Sequence, residues 1–220
     1  MSEPLISLRG VGFAYDDGKP VLSGLDFELR EGERVALLGP NGSGKTTMLH
    51  LIVGLLKPSA GEVVAFGRAR RSEADFFEVR QRAGLVFQDP EDQLFCPTVY
   101  EDVAFGPLNL GKGREEVRAI VGETLEALGL AGYEERITYK LSGGEKRLVS
   151  LATVLAMQPE VLLLDEPTSG LDEEAEGRLL AILKDLPLAM VVASHDREFL
   201  RQTTGRAVRL RGGRLEPADL

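Results

Sequence analysis

Hydrophobic positions along this 220-residue chain change their period several times, and each change predicts a new element. Near the start, Ile6, Leu8, Val11, Phe13 and Tyr15 are interleaved with other residues, ahead of a turn at Asp16-Asp17-Gly18. Such alternation sends neighbouring side chains to opposite faces, so this stretch reads as antiparallel strands. Val35-Ala36-Leu37-Leu38 is apolar without interruption and runs into a glycine-rich turn. Met48, Leu49, Ile52, Val53 and Leu56 then recur at helical spacing. Strand, glycine loop and helix in that order open an α/β fold.

Three later apolar runs, Leu85-Val86-Phe87, residues 161–164 and residues 190–193, are short and continuous. Continuous apolar runs are what parallel strands covered on both faces require. Residues 89–158 have a different texture, with helical periodicity at Val117, Ile120, Val121, Leu125 and Leu128 and few strand signals. They predict a helical insert. Residues 208–215, around Gly212-Gly213, predict a small hairpin. The expected organisation is one domain over 1–220, with a core of 1–88 and 159–220 and a helical subdomain of 89–158. Its fold class is α/β, with a mixed, largely parallel sheet, an N-terminal antiparallel β subdomain and an inserted α-helical subdomain.

Charge narrows the classes of partner. A formal net charge of −9 repels nucleic acid and anionic lipid, so no nucleic-acid partner is expected. Arg68, Arg70, Arg71, Arg80 and Arg82 form a local basic cluster, but Glu73, Asp75 and Glu78 dilute it towards an ordinary solvated surface. With one cysteine, Cys96, no intrachain disulfide can form, which fits a reducing compartment. The first ten residues show neither the basic nor the apolar region of a secretion signal, and the apolar runs fall short of a bilayer span. A cytoplasmic location follows as an expectation, one that leaves room for a place against a membrane protein.

Two segments carry chemistry. Gly39-Pro40-Asn41-Gly42-Ser43-Gly44-Lys45-Thr46 fits the P-loop pattern G-x-x-x-x-G-K-[ST], and it lies between a predicted strand and a predicted helix. Glycines let backbone N–H groups converge on phosphate oxygens, and the helix start near Gly44 adds partial positive charge. Lys45 supplies a full charge to the β- and γ-phosphates, and the Thr46 hydroxyl is suited to Mg²⁺. The run at 161–164 ends in Asp165-Glu166. Asp165, at a strand's carboxyl end, can complete the metal shell, while Glu166 can polarise the water that attacks the γ-phosphate. A nucleoside triphosphate and Mg²⁺ are therefore the expected ligands of a P-loop nucleotide hydrolase.

Leu141-Ser142-Gly143-Gly144-Glu145 resembles the signature motif of the ABC (ATP-binding cassette) ATPases, placed shortly before Asp165-Glu166 as in that family. The resemblance covers nearly the whole chain, in order. It implies that Tyr15 stacks on adenine, that Gly39 to Thr46, together with Thr47, hold the nucleotide, and that Gln88 touches Mg²⁺ and the attacking water. It further implies that Ser169-Gly170-Leu171-Asp172 is a loop crossing to the opposite subunit and that His195 is a switch near the γ-phosphate. Ser142, Gly143, Gly144 and Glu145 would cap the ATP of a second ABC subunit, identical or different. Two departures stand out: the family has Gln where this chain has Glu145, and tends to have Arg where this chain has Leu148.

The stretch 88–107, with Gln88-Asp89-Pro90-Glu91-Asp92-Gln93-Leu94-Phe95 and Asp102-Val103-Ala104-Phe105-Gly106-Pro107, is similar to cobalt-type ATPases of energy-coupling-factor importers. That resemblance implies an ATPase peripheral to the inner face of the cell membrane. Its partners would be a transmembrane coupling subunit and a substrate-binding membrane protein, and its cargo a metal ion or vitamin. Leu94, Phe95, Val99 and Phe105 then either receive a coupling helix in a groove or pack inside the helical insert. The alternative is a soluble ABC ATPase acting on a macromolecule, which usually needs a basic face, tandem cassettes or coiled-coil insertions.

Overall fold

The computed structural model describes residues 3–16 and 18–220, so the turn read at Asp16-Asp17-Gly18 includes a residue, Asp17, outside the described ones. The chain divides into two compact units. The first contains Met1–Leu85, Glu160–Glu166 and Pro187–Leu220, and the second Val86–Pro159 and Pro167–Leu186.

In the first unit, β1 (Ile6–Ala14), β2 (Pro20–Leu29), β4 (Ala60–Ala65) and β5 (Arg68–Arg70) form an antiparallel sheet in the order β2-β1-β4-β5. Along β1 the inward positions Ile6, Leu8, Val11 and Phe13 are buried. The step from Leu8 to Val11 breaks a strict alternation, and the strand accommodates it with a register shift there. A second sheet has the order β10-β9-β3-β8-β7-β6, from β3 (Arg34–Leu38), β6 (Ala83–Val86), β7 (Val161–Asp165), β8 (Ala189–Ala193), β9 (Arg206–Arg211) and β10 (Arg214–Ala218). Strands β7, β8, β3 and β9 run parallel, and β9 and β10 close antiparallel as the hairpin the glycine pair predicts. Every residue of β7 and β8 is buried, as continuous apolar runs demand.

Helix α1 (Lys45–Ile52) contacts β7 of one sheet and β4 of the other. Met48, Leu49, Leu51 and Ile52 are all fully buried in the shared core. A helix apolar on nearly every side is one enclosed by its fold. Helix α2 (Glu73–Arg82) starts with a capping box, Ser72 with Asp75. The arginines of β5 and α2 are matched by carboxylates: Arg68 and Arg70 pair with Glu78, Arg80 with Glu73, and Arg82 with Glu160. Arg70 and Arg68 hold Glu78 down to about 2. Helix α7 (Arg197–Thr203), capped by Asp196, completes the unit.

The second unit holds α3 (Val99–Asn109), α4 (Arg114–Ala127), α5 (Gly143–Leu155) and α6 (Glu173–Asp185). The expected helix α4 buries Val117, Ile120, Val121 and Leu125 on one face. Helix α6 groups here rather than with residues 1–88 and 159–220, because it packs on α5. The approach is close: a Cβ on Gly144 would lie 2.9 Å from the Ala175 Cβ. Among the described residues, no helix is long and apolar enough to cross a membrane.

Candidate active site

In the first unit, the loop between β3 and α1 is shaped by what its glycines permit. Gly44 has φ +104, a conformation that side chains rarely adopt, and a Cβ there would meet the Val21 Cγ1 at 2.9 Å. A Cβ on Gly39 would lie 2.6 Å from the Ser43 Oγ and 2.9 Å from the Leu210 carbonyl oxygen. The backbone therefore curls tightly into the start of α1, where the N–H groups of the first turn have no intrahelical partner. Lys45 bends back across this loop, its Nζ donating to the Gly39 carbonyl at 3.0 Å. Pro40, Asn41 and Gly42 form the outer part of the loop and are exposed or half-exposed, and Thr46 and Thr47 follow in α1.

Strand β7 delivers Asp165 and Glu166 beside this loop. Glu166 is a non-glycine residue with φ +44, and its N–H donates to the Ala193 carbonyl at 2.7 Å. The backbone thus leaves its extended path between the two acids, which gives adjacent carboxylates different surroundings. Glu166 Oε1 is 3.2 Å from the Lys45 Nζ, with both side chains more than nine-tenths buried. Glu166 Oε2 is 2.8 Å from Nδ1 of His195, whose ring is 72% exposed, and lies 3.3 Å from the His195 N–H. Asp165 hydrogen-bonds the Thr46 side chain, and burial pushes its pKa up, a shift the Thr46 bond and Lys45 oppose and Glu166 reinforces.

Two buried side-chain oxygens here, Ser43 Oγ and Asp165 Oδ1, make no hydrogen bond, and a third, Glu166 Oε1, has only its ion pair with Lys45. Buried polar atoms are ordinarily satisfied, so a run of such atoms points to a ligand-binding surface. Thr46 and Asp165 offer hard oxygen donors beside the phosphate loop, a set that suits Mg²⁺ completed by phosphate oxygens and water. Among the described residues there is no group of three His, Cys, Asp or Glu side chains able to hold a metal without such help.

Tyr15 follows β1, its ring 49% exposed and edge-on to Phe13, with its hydroxyl 3.1 Å from the Thr47 Oγ1. His50, one turn along α1 and unremarked in the sequence, also senses Asp165: burial lowers its pKa and the carboxylate opposes that.

The other sequence-derived site residues belong to the second unit. Gln88 is exposed, at the head of a loop fastened to α5 by two side chains. The Arg147 guanidinium donates to the carbonyls of Phe87 and Gln88 at 2.7 and 2.6 Å. Gln93 accepts from the Phe87 N–H at 3.1 Å and donates to the Ser150 carbonyl and Thr153 hydroxyl of α5. The arginine missing at Leu148 thus has a counterpart one residue earlier: Leu148 is buried core and Arg147 holds the loop. Sequence reasoning passed over Arg147, and its offset from the family position was the available signal.

Ser142 caps α5, accepting from the Glu145 N–H, and Gly143 and Gly144 form the first turn. The first turn of α5 is thus built from the motif itself. Of the four apolar residues in the stretch after Gln88, Leu94 and Val99 are buried. Phe95 and Phe105 are 65% and 48% exposed and stack edge to face with ring centroids 4.9 Å apart.

Comparison with known proteins identifies the family. Residues 22–169 match the family model of the ABC transporter. The energy-coupling factor transporter ATP-binding protein EcfA of Methanothermobacter thermautotrophicus is 47% identical over 96% of this chain and 69% of its own length. EcfA of Methanocaldococcus jannaschii is 46% identical over 87% of this chain and 70% of its own length. Among solved structures, cbiO1 from Clostridium perfringens, part of the ABC transporter complex cbiONQ, superposes with TM-score 0.87. It shares 33% identity, covering 98% of this chain and 88% of that one. A dimeric ATP-binding cassette, MJ0796, bound to ADP and Pi, also gives TM-score 0.87, at 29% identity over 98% and 99% of the two chains. The chain belongs to the ABC transporter family of ATP-binding proteins. It is an ATPase of the transport type, and its likeness to EcfA and cbiO1 is to the energy-coupling-factor and cobalt branch of that family.

Proposed function

We propose that this chain is the ATP-hydrolysing subunit of an energy-coupling-factor type importer, working as a dimer against a membrane-embedded partner to take up a metal ion or vitamin. The catalytic part of the reading rests on one arrangement, the Glu166 carboxylate between Lys45 and His195 beside the Thr46–Asp165 pair. Loop N–H groups, the start of α1 and Lys45 receive the phosphates. Thr46 and Asp165 would hold Mg²⁺, which would supply positive charge against the charge developing on the phosphates, and Gln88 is the residue that the family resemblance assigns to that ion and the attacking water. Glu166 orients and polarises the attacking water, its carboxylate steadied by the His195 ring. Tyr15 presents its half-exposed ring to the adenine, and Ser142, Gly143, Gly144 and Glu145 meet the ATP of the other subunit.

The importer part is supported by the exposed Phe95–Phe105 pair, in the segment resembling the groove that takes a coupling helix. Exposed paired aromatics favour a protein partner, because such patches are costly to leave in water. The test is affinity capture of Glu166→Gln from its native membranes with ATP, with partners identified by mass spectrometry. A polytopic membrane protein together with a small substrate-binding one is the expected recovery. Recovery of soluble partners or nucleic acid alone overturns the importer and leaves the ATPase.

A further inference from the structure

At the N-terminus of α5 this chain places a carboxylate, Glu145, three residues after the capping Ser142. A glutamine there could satisfy the Ser142 N–H equally well without charge. The carboxylate brings a full negative charge to the helix end that, on the function proposed above, meets the partner subunit's ATP. Unopposed, that charge would repel phosphate.

It is opposed from a specific direction. Glu145 Oε2 accepts from the Ser142 N–H at 2.8 Å, while Oε1 accepts from both the Tyr133 hydroxyl at 2.7 Å and the Arg136 Nη1 at 3.0 Å. The Arg136 guanidinium also lies over the Tyr133 ring, 3.5 Å from its centroid. Backbone bonds hold the segment that carries both: Arg136 N–H to the Tyr133 carbonyl, Val99 N–H to the Arg136 carbonyl and Tyr100 N–H to the Glu134 carbonyl. A cation on a pinned turn, stacked on a ring, loses little entropy in staying there. The Ser142 N–H, then the Tyr133 hydroxyl, draw the Glu145 carboxyl below its ordinary range, so the charge persists at neutral pH.

We infer that Tyr133 and Arg136 are positioning residues that hold and neutralise Glu145, so that Ser142, Gly143 and Gly144 can receive the partner subunit's ATP. Arg136 is about half exposed, so its role is charge compensation rather than stability. The inference rests on the reading of residues 142–145 as the partner-facing motif. It makes a distinctive claim: the damage from losing Arg136 is caused by the charge of Glu145, and removing that charge repairs it.

The test is steady-state ATPase against ATP concentration for the full chain, comparing Arg136→Gln, Glu145→Gln, the double variant and Arg136→Lys. Arg136→Gln should raise the ATP concentration at half-maximal rate about fivefold with kcat less affected, while the double variant and Arg136→Lys return to within about twofold of wild type. Glu145→Gln alone, which removes the charge but keeps an acceptor for the Ser142 N–H, should lower the ATP concentration at half-maximal rate about twofold, and it reads the same question if Arg136→Gln folds poorly. The inference is overturned if the double variant stays as impaired as Arg136→Gln, or if Glu145→Gln alone causes a severe loss. Ser142→Arg is the control for the underlying reading and should abolish turnover. Normal turnover by it removes the motif's role and the inference together, an outcome distinct from failed rescue.

Discussion

The Glu166 carboxylate sits 3.2 Å from the Lys45 ammonium, and neither side chain exposes a tenth of its surface. Lys45 is the cation proposed to receive phosphate, so the pair places an anion in competition with the ligand. Substituting Glu166→Gln removes that competitor along with the carboxylate proposed to polarise water. The expected result is loss of hydrolysis together with ATP binding about tenfold tighter, equivalent to about 1.4 kcal/mol. Titration of a fluorescent ATP analogue checks it, and weaker binding by the variant would show that Lys45 does not carry the phosphate charge. In contrast, Lys45→Ala should lose nucleotide affinity and also stability, because it strands a buried carboxylate.

Much of this site was legible in the sequence, because phosphate binding forces residue types into fixed spacing. Residues 39–46 could be read directly, since a loop that approaches phosphate needs glycines and a helix that receives it needs a lysine at its start. Asp165-Glu166 was legible from the apolar run before it, but the φ of +44 at Glu166 was not, because local sequence does not encode strain that a neighbouring strand maintains. Tyr133 and Arg136 were invisible for another reason. They reach Glu145 across 12 and 9 residues of chain, through a turn and a 3₁₀ segment that carry no periodicity. The stretch after Gln88 was ambiguous and resolved evenly, Leu94 and Val99 inward and Phe95 and Phe105 outward. The placement of α6 was missed because packing on α5 decides it, and chain order put it with the core.

Asp165 gives a pH dependence with a definite sign. Burial raises its folded pKa above the unfolded value, so its contribution favours the fold at low pH and is lost as pH rises through the folded pKa. Above that folded pKa the ionised carboxylate is therefore a net cost without a cation. Asp165→Asn should raise the thermal midpoint in EDTA by about 2 °C at pH 8, the difference shrinking toward pH 4. Adding Mg²⁺ with ADP should reverse the order, stabilising wild type and leaving the variant nearly unmoved. Calorimetry in both buffers decides it. A variant stabilised as strongly as wild type by Mg²⁺ and nucleotide would remove Asp165 from the metal site.

Asp102 is a buried acid in α3 whose Oδ1 accepts from the N–H groups of Phe95 and Cys96, at 3.0 and 2.9 Å, and whose Oδ2 accepts from Thr138. The same residue helps keep the Cys96 thiol unreactive. Burial first, then Asp102, push that thiol up to about 11, so thiolate is a minor species at pH 8. Asp102→Asn removes the charge and weakens the two N–H bonds. Cys96 should then react with a thiol reagent several-fold faster at pH 8, the gap closing at pH values above 11. Unchanged labelling would mean that burial alone governs the cysteine.

Phe95 and Phe105 separate docking from catalysis. Their rings stack edge to face while remaining largely in water, an arrangement that leaves about half or more of each exposed without a partner. Neither residue is among the proposed catalytic groups, all of which apart from Gln88 and the 142–145 motif belong to the first unit. Replacing both with serine removes apolar surface from the second unit only. ATPase activity of the isolated chain should stay within about twofold of wild type. Recovery of the membrane partner by Glu166→Gln carrying both changes should fall at least tenfold, the loss expected when aromatic anchors leave an interface. Serine costs the fold little at positions that pack mainly on each other, so a stability loss beyond about 1 kcal/mol would expose a structural role instead. Equal recovery with and without the rings would place the docking surface elsewhere on this chain.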